Sequence, residues 1–131
     1  MINSAEEFVQ LRTSSQQEDY LKAANDEASA AVWVDIIQNY PDMRIWVARN
    51  KTVPMEVLEM LALDSEPSIR IAVAMKNKLS LRLVEQLAKD SDSLVRQRIA
   101  YNKNTHRHIL EQLANDDSEL VASVAREKLK I

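Results

Sequence analysis

The sequence contains no glycine and no cysteine in its 131 residues. The absence of glycine excludes the phosphate loops, dinucleotide-binding fingerprints and nucleophile elbows that require glycine at fixed positions. The absence of cysteine excludes a disulfide framework, a thiol nucleophile and a cysteine-ligated zinc site. We therefore expect a chain that is not an enzyme and holds no cofactor.

Long apolar runs are also missing. No stretch approaches the roughly 18 apolar residues of a membrane span. The first residues, MINSAEEFVQ, are acidic and polar where a signal peptide would be basic and then apolar. The hydrophobic fraction of 46%, the charged fraction of 28% and the net charge of −3 are typical of a folded globular protein. The expectation is a cytoplasmic protein without membrane contact.

An internal repeat dominates what is present. The segments 41–66, 67–92 and 93–118 align without a gap, which gives a period of 26 residues. A partial fourth unit covers 119–131. Arginine, alanine, leucine and aspartate recur in fixed columns, for example Arg44/Arg70/Arg96 and Asp64/Asp90/Asp116. Fixed periods of this length indicate a fold built from stacked repeats.

Each repeat contains two short apolar segments with helical spacing. In 67–92 these are Ile69, Val73 and Ala74, followed by Leu83, Val84, Leu87 and Ala88. No run alternates with the period of a strand. The pattern predicts a pair of helices per unit. The asparagines in and after the intra-unit turns are expected to adopt the left-handed conformation that glycine usually supplies, namely Asn50, Asn77, Asn102 and Asn104.

Residues 1–40 fit the period poorly and are interpreted as an N-terminal helical cap. The segments Ser4–Glu7 and Ser15–Glu18 have the pattern of capping boxes, each opening a short helix. A third helix is predicted near 29–39 and could be half of a repeat. A repeat array needs such a cap because its terminal unit would otherwise expose an apolar side.

The segments VARNKTVPMEVLEMLALD and IAYNKNTHRHILEQLANDDSELV resemble the leucine-rich repeat variant, a relative of the HEAT-like repeats. The resemblance covers about 41–131. It implies an all-α fold, a short right-handed α-solenoid of two-helix repeats. It also implies a structural ladder of hydrogen bonds between aspartates and arginines six residues apart, here Asp64/Arg70 and Asp90/Arg96. One helix per unit is tighter than α in that family, so 67–76 could be either α or 3-10.

The charges separate between the two kinds of turn. Acidic residues occupy the turns between units, and basic residues occupy the turns within units. Stacked turns would form a basic edge that could meet phosphate or an acidic protein. The ordinary preference for anions near the N-terminal ends of helices and for cations near the C-terminal ends would produce much of the same pattern. The basic edge consists of Arg49, Lys51, Lys76, Lys78, Lys103 and Arg107.

The favoured function is a non-enzymatic scaffold that binds another protein, as a monomer or weak dimer. One setting of this type is an immunity or antitoxin-type inhibitor of a bacterial toxin. The alternative is nucleic-acid binding through the basic edge, which the acidic total disfavours. His106 and His108 are two residues apart, so they do not form a metal-binding pair on a helix. The candidate partner surface lies on the second helices and consists of Met55, Glu59, Met60, Leu63, Glu85 and Gln86.

Overall fold

The computed structural model describes residues 1–130. Within this range the chain forms ten α-helices and one short 3-10 helix, with no strand beyond an isolated bridge between Ile2 and Ala28. The prediction of an all-α chain is confirmed for these residues. The chain divides into two compact units, Met1–Leu61 and a second that begins at Ala62.

The first unit contains five α-helices. They are α1 (Ala5–Thr13), α2 (Gln17–Asn25), α3 (Ala30–Asn39), α4 (Arg44–Arg49) and α5 (Met55–Leu61). The 3-10 helix, Pro41–Met43, leads directly into α4. Helix α2 contacts α4 and α3 contacts α5. Helix α1 contacts both α2 and α3.

The helix starts of the first unit follow the predicted caps in part. The Ser4 hydroxyl accepts a hydrogen bond from the Glu7 amide at 3.0 Å, as the first capping box predicts. The second box was wrong, because α2 begins after Gln16 without a side-chain cap. The serine that contacts the first turn of α2 is Ser14, whose hydroxyl donates to the Asp19 carboxylate at 2.5 Å. Helix α3 lies where a helix was predicted.

An aromatic pair forms the centre of the first core. The rings of Phe8 and Trp33 meet edge to face, with 5.6 Å between centroids, and both side chains are fully buried. Edge-to-face packing matches the positive ring edge to the negative ring face. This contact joins α1 to α3 and so attaches the N-terminal helix to the rest of the first unit.

The second unit also contains five helices. They are α6 (Pro67–Ala74), α7 (Leu81–Leu87), α8 (Ser93–Tyr101), α9 (Arg107–Leu113) and α10 (Glu119–Leu129). Helix α8 contacts both α6 and α10, while α7 and α9 pack against their neighbours in sequence. The segment left open between α and 3-10 geometry forms an α-helix. The apolar sides of both helices of this repeat are buried as the spacing predicts, with Ile69 and Val73 of α6 and Leu83 and Leu87 of α7 inside the core.

The asparagines contradict the predicted left-handed conformation. No residue from 1 to 130 has a positive φ, and Asn50 and Asn102 are extended, with φ near −64° and −62°. Their side chains cap an earlier helix instead. The Asn50 amide donates to the carbonyls of Ala23 and Asp26 at 2.7 and 3.0 Å. The turn geometry therefore comes from side-chain hydrogen bonds and not from a left-handed residue.

The second unit repeats this arrangement. The Asn102 amide donates to the carbonyls of Ala74 and Lys76 at 3.2 and 2.8 Å. The Asn104 amide donates to the carbonyl of Asn77. These bonds hold the turn after α6 against the turn after α8, so two equivalent turns of this unit lie side by side.

The arginine columns form hydrogen bonds at two separations. Arg70 donates to the backbone carbonyl of Asp64 at 2.7 Å, and Arg96 donates to that of Asp90 at 2.7 Å. The aspartates six residues earlier therefore contribute carbonyls to these bonds. The carboxylate partners lie 20 residues later, where Arg70 meets Asp90 at 2.9 and 3.1 Å and Arg96 meets Asp116 at 2.8 and 3.0 Å. Both pairs are bidentate and mostly buried.

Candidate binding grooves

The predicted second-helix surface is distributed over both units. On α5, Met55 and Glu59 are half-buried and Met60 is 39% exposed. In the second unit Leu63 is 76% exposed, and Glu85 and Gln86 are exposed on α7. The structure thus brings Met55, Glu59 and Met60 together on one helix and Glu85 with Gln86 on another.

The predicted basic edge is also shared between the units. Arg49 and Lys51 belong to the first unit and are exposed. In the second unit Lys78 and Lys103 are exposed, whereas Lys76 is half-buried and desolvation lowers the pKa of its ammonium group. Arg107 is 3.2 Å from Glu111, one helical turn later. This edge therefore carries less unpaired positive charge than its composition suggests.

A shallow groove surrounds Tyr101 in the second unit. Tyr101 is the last residue of α8, and its side chain is 51% exposed. It separates two adjoining pockets of about 260 and 320 Å³. The first is lined by Ala74, Met75, Asn77, Arg98, Tyr101, Asn102 and Lys103, and the second by Tyr101, Ser123, Val124, Glu127 and Lys128. The sequence analysis did not identify this groove.

The groove combines an aromatic ring with cations. The Arg98 guanidinium lies 5.9 Å from the centre of the Tyr101 ring. The Lys128 ammonium donates to the Tyr101 carbonyl oxygen at 2.9 Å, which holds the end of α8 against α10. Met75 is 57% exposed at the rim. The groove can thus bury apolar surface while its cations attract carboxylates.

The first unit has a related feature on α4. There Trp46 and Arg49 are three residues apart and the guanidinium lies 5.2 Å from the indole ring. On α8 the same spacing separates Arg98 from Tyr101, with the aromatic and the arginine exchanged. Trp46 and Arg98 share a repeat column, as do Arg49 and Tyr101. In the sequence, this exchange of an aromatic residue and an arginine between two repeat columns was the signal that could have indicated the sites at Trp46 and Tyr101.

The two histidines lie on the surface of the second unit. His106 and His108 are exposed with ring centroids 5.8 Å apart, and His108 lies 3.9 Å from the Glu85 carboxylate. No group of three or more histidine, aspartate or glutamate side chains in residues 1–130 could hold a metal ion. Within the same residues, none of the helices has both the length and the apolar character needed to cross a membrane.

Comparison with known proteins adds no relative. No protein-family model, no curated protein and no solved structure matches this chain. The function must therefore be argued from the grooves themselves.

Proposed function

We propose that the chain is a HEAT-like repeat protein related to the leucine-rich repeat variant, with the predicted right-handed α-solenoid geometry. Two observations support this. Helices α5, α7 and α9 begin at residues 55, 81 and 107 and each has seven residues. In the second unit α6, α8 and α10 contact one another in series, as stacked repeats do. In this proposal residues 1–40 act as the N-terminal cap.

The proposed activity is non-enzymatic binding of another protein in the cytoplasm. The observation that carries it is the half-exposed Tyr101 ring between two pockets of the second unit. An exposed tyrosine is a frequent anchor of protein interfaces because it buries a large rigid surface at low entropic cost. Arg98 and Lys103 on one side and Lys128 on the other favour a partner segment with an apolar residue flanked by carboxylates.

The biological setting we propose is the one that the sequence suggested, an immunity or antitoxin-type inhibitor of a bacterial toxin. A small acidic chain with net charge −3 suits this role, since such an inhibitor only has to cover a surface of its target. Exposed side chains of the predicted partner surface supply further candidate contacts, Met60 in the first unit and Leu63 and Glu85 in the second.

The alternative is nucleic-acid binding. It is favoured by one observation, an exposed aromatic ring beside exposed basic side chains, which is the arrangement that stacks bases and neutralises phosphates. Glu127 lines the same groove and Lys76 is half-buried, and both features weaken it.

Affinity capture with matched variants tests the proposal. Immobilised wild-type chain is exposed to lysate of the native host, in parallel with Tyr101→Ala, with Met60→Asp and with Leu94→Ala. Leu94 is 49% exposed on the same helix as Tyr101 but lines neither pocket, so it serves as the control. We expect a protein that binds wild type and the Leu94 variant and is lost with the Tyr101 variant. Loss with the Met60 variant alone would transfer the site to the second-helix surface.

The salt dependence of DNA binding tests the alternative. Four basic side chains, the exposed Lys78, Arg98 and Lys103 and the half-buried Lys128, could contact phosphates if Lys128 leaves its carbonyl. About four contacts would weaken duplex binding on the order of 10²-fold between 50 and 200 mM salt. We expect no measurable affinity for a random duplex at 150 mM salt by fluorescence anisotropy. Sub-micromolar affinity with that salt slope would favour the alternative.

A further inference from the structure

A third pocket, in the first unit, lies beside Trp46. It measures about 200 Å³ and is lined by Arg12, Ala23, Ala24, Trp46 and Arg49. This volume corresponds to about seven water molecules at roughly 30 Å³ each. The walls are the indole ring and two alanines, and the polar groups that line it are two guanidinium groups. It is therefore a small, mostly apolar site with a concentrated positive charge.

The two arginines approach the same indole ring. The Arg12 Cζ atom is 3.6 Å from the Trp46 ring centre, and that of Arg49 is 5.2 Å away. Arg12 also lies 5.2 Å from the Tyr20 ring. Burial lowers the pKa of the Arg12 guanidinium, the charge of Arg49 lowers it further, and Tyr20 opposes both. Cation–π contacts hold both like charges at one site.

Neither arginine is neutralised by the protein. Within residues 1–130 no carboxylate forms an ion pair with Arg12 or Arg49. Arg70 and Arg96, in contrast, each pair with an aspartate. The Arg12 Nε atom is buried and has no hydrogen-bond partner in this range. A buried donor without an acceptor is costly, so this group has an unmet requirement for an anion or another acceptor.

The backbone near the pocket does not meet that requirement. The Ala23 carbonyl accepts from Asn50, and the Ala24 carbonyl accepts from the Lys51 amide at 2.9 Å. The carbonyls of both wall alanines are therefore already engaged. The side chains that line the pocket offer only hydrogen-bond donors, which favours an acceptor-only group as ligand.

We propose that this pocket binds a carboxylate carried on a short apolar stem. Guanidinium groups match the geometry of a carboxylate, and its charge would relieve the repulsion between Arg12 and Arg49. Ala23, Ala24 and the indole ring would contact the methylene groups of the stem. A phosphate ion offers oxygens on every side and would place some of them against these apolar walls. The proposal does not depend on the Tyr101 groove.

Two sources could provide this chemistry, a free short-chain carboxylic acid or the glutamate side chain of a peptide. NMR titration of the full chain with butyrate, with a capped Ala-Glu-Ala peptide and with inorganic phosphate separates them. The readouts are the Arg12 Nε–H and Trp46 indole N–H signals. The fully buried Trp33, the other of the two tryptophans, provides an internal reference. Sodium chloride keeps the ionic strength constant.

We expect a saturable shift of the Arg12 and Trp46 signals with at least one carboxylate, and at least fivefold weaker binding of phosphate. Saturation by the peptide assigns the site to a protein side chain, and saturation by butyrate alone assigns it to a small acid. Arg49 is exposed, so Arg49→Gln should fold and should weaken binding about tenfold or more. Arg107→Gln, an exposed arginine on α9, should leave binding unchanged.

Three results would overturn the proposal. The first is a shift that grows linearly with every anion, which shows screening without a site. The second is phosphate binding as tightly as the carboxylates. The third is an Arg49→Gln variant that binds butyrate and the peptide as wild type does.

Discussion

Asn50 should be the most consequential polar residue of the first unit. Its side chain is fully buried and donates to Ala23 and Asp26, while its carbonyl oxygen accepts from the Thr52 amide at 2.8 Å and the Thr52 hydroxyl at 2.7 Å. In Asn50→Ala the Ala23 carbonyl and the Thr52 amide lose these partners. The Thr52 hydroxyl, freed from Asn50, can then donate to the Asp26 carbonyl 3.2 Å away.

The expected cost follows from those two groups. A buried polar group without a partner costs about 1–3 kcal/mol, so Asn50→Ala should lower the free energy of unfolding by about 2–6 kcal/mol. That is a large fraction of the roughly 5–15 kcal/mol that stabilises a typical domain. Urea titration followed by circular dichroism at 222 nm measures the difference.

Alanine substitutions at two other asparagines serve as comparisons for the cost of Asn50→Ala. Asn102 occupies the equivalent turn but is half-buried, with one bond at 3.2 Å, so Asn102→Ala should cost less. Asn115 is exposed and bonds weakly to the Glu111 carbonyl at 3.4 Å, so Asn115→Ala should stay within about 0.5 kcal/mol.

The reasoning also predicts the behaviour of the isosteric acid. Asn50→Asp keeps the acceptor but aims a carboxylate at two carbonyls, which should raise its pKa in the folded state. Its deficit relative to wild type should therefore grow as the pH rises from about 3.9, the ordinary aspartate value, toward 7. The argument fails if Asn50→Ala is no more damaging than Asn115→Ala, or if the aspartate variant shows no such pH dependence.

Two further predictions concern the second unit. Leu87 is fully buried on α7, whereas Glu85 on the same helix is exposed. In urea titrations Leu87→Ala should lower the free energy of unfolding by about 2–5 kcal/mol, and Glu85→Ala by less than about 0.5 kcal/mol. Equal losses would mean that the helix faces are misassigned. Hydrogen bonding from Arg96 lowers the pKa of Asp116 below its ordinary value, so this pair stabilises the fold above about pH 4 and the contribution is lost as the pH falls through the lowered pKa. Arg96→Gln should therefore lose about 2–4 kcal/mol at pH 7 and distinctly less at pH 2, and an equal loss at both would contradict the linkage.

The helices could be predicted because their signal is local. The spacing of Leu83, Val84 and Leu87 identifies the buried side of α7 without reference to any neighbour. The conformation of Asn50 and Asn102 could not be predicted in the same way. An asparagine after a helix can either adopt a left-handed backbone or cap a nearby carbonyl, and the choice depends on whether an earlier helix end lies within reach.

The grooves were harder to predict for a related reason. A row of apolar residues along the second helices favoured Met60 and Leu63, which the structure shows to be exposed. The pocket beside Tyr101 depends on the gap between the turn after α6, the end of α8 and the α10 surface. Such a gap is set by packing between segments distant in sequence, and a comparison of repeat columns does not contain that distance.

The asparagine side chains bond to residues earlier in the chain, whereas the arginine–aspartate pairs join each arginine to a later residue. The two sets of bonds can therefore form in a fixed order during synthesis on the ribosome. Asn50 and Asn102 bond to carbonyls that precede them, so their acceptors have already been made when each asparagine emerges. Arg70 and Arg96 await aspartates 20 residues further on. Because chains emerge at about 5–20 residues per second, each arginine waits about one to four seconds for its carboxylate. The turns can therefore close as the chain grows, while each ion pair forms only after the next helix has been added.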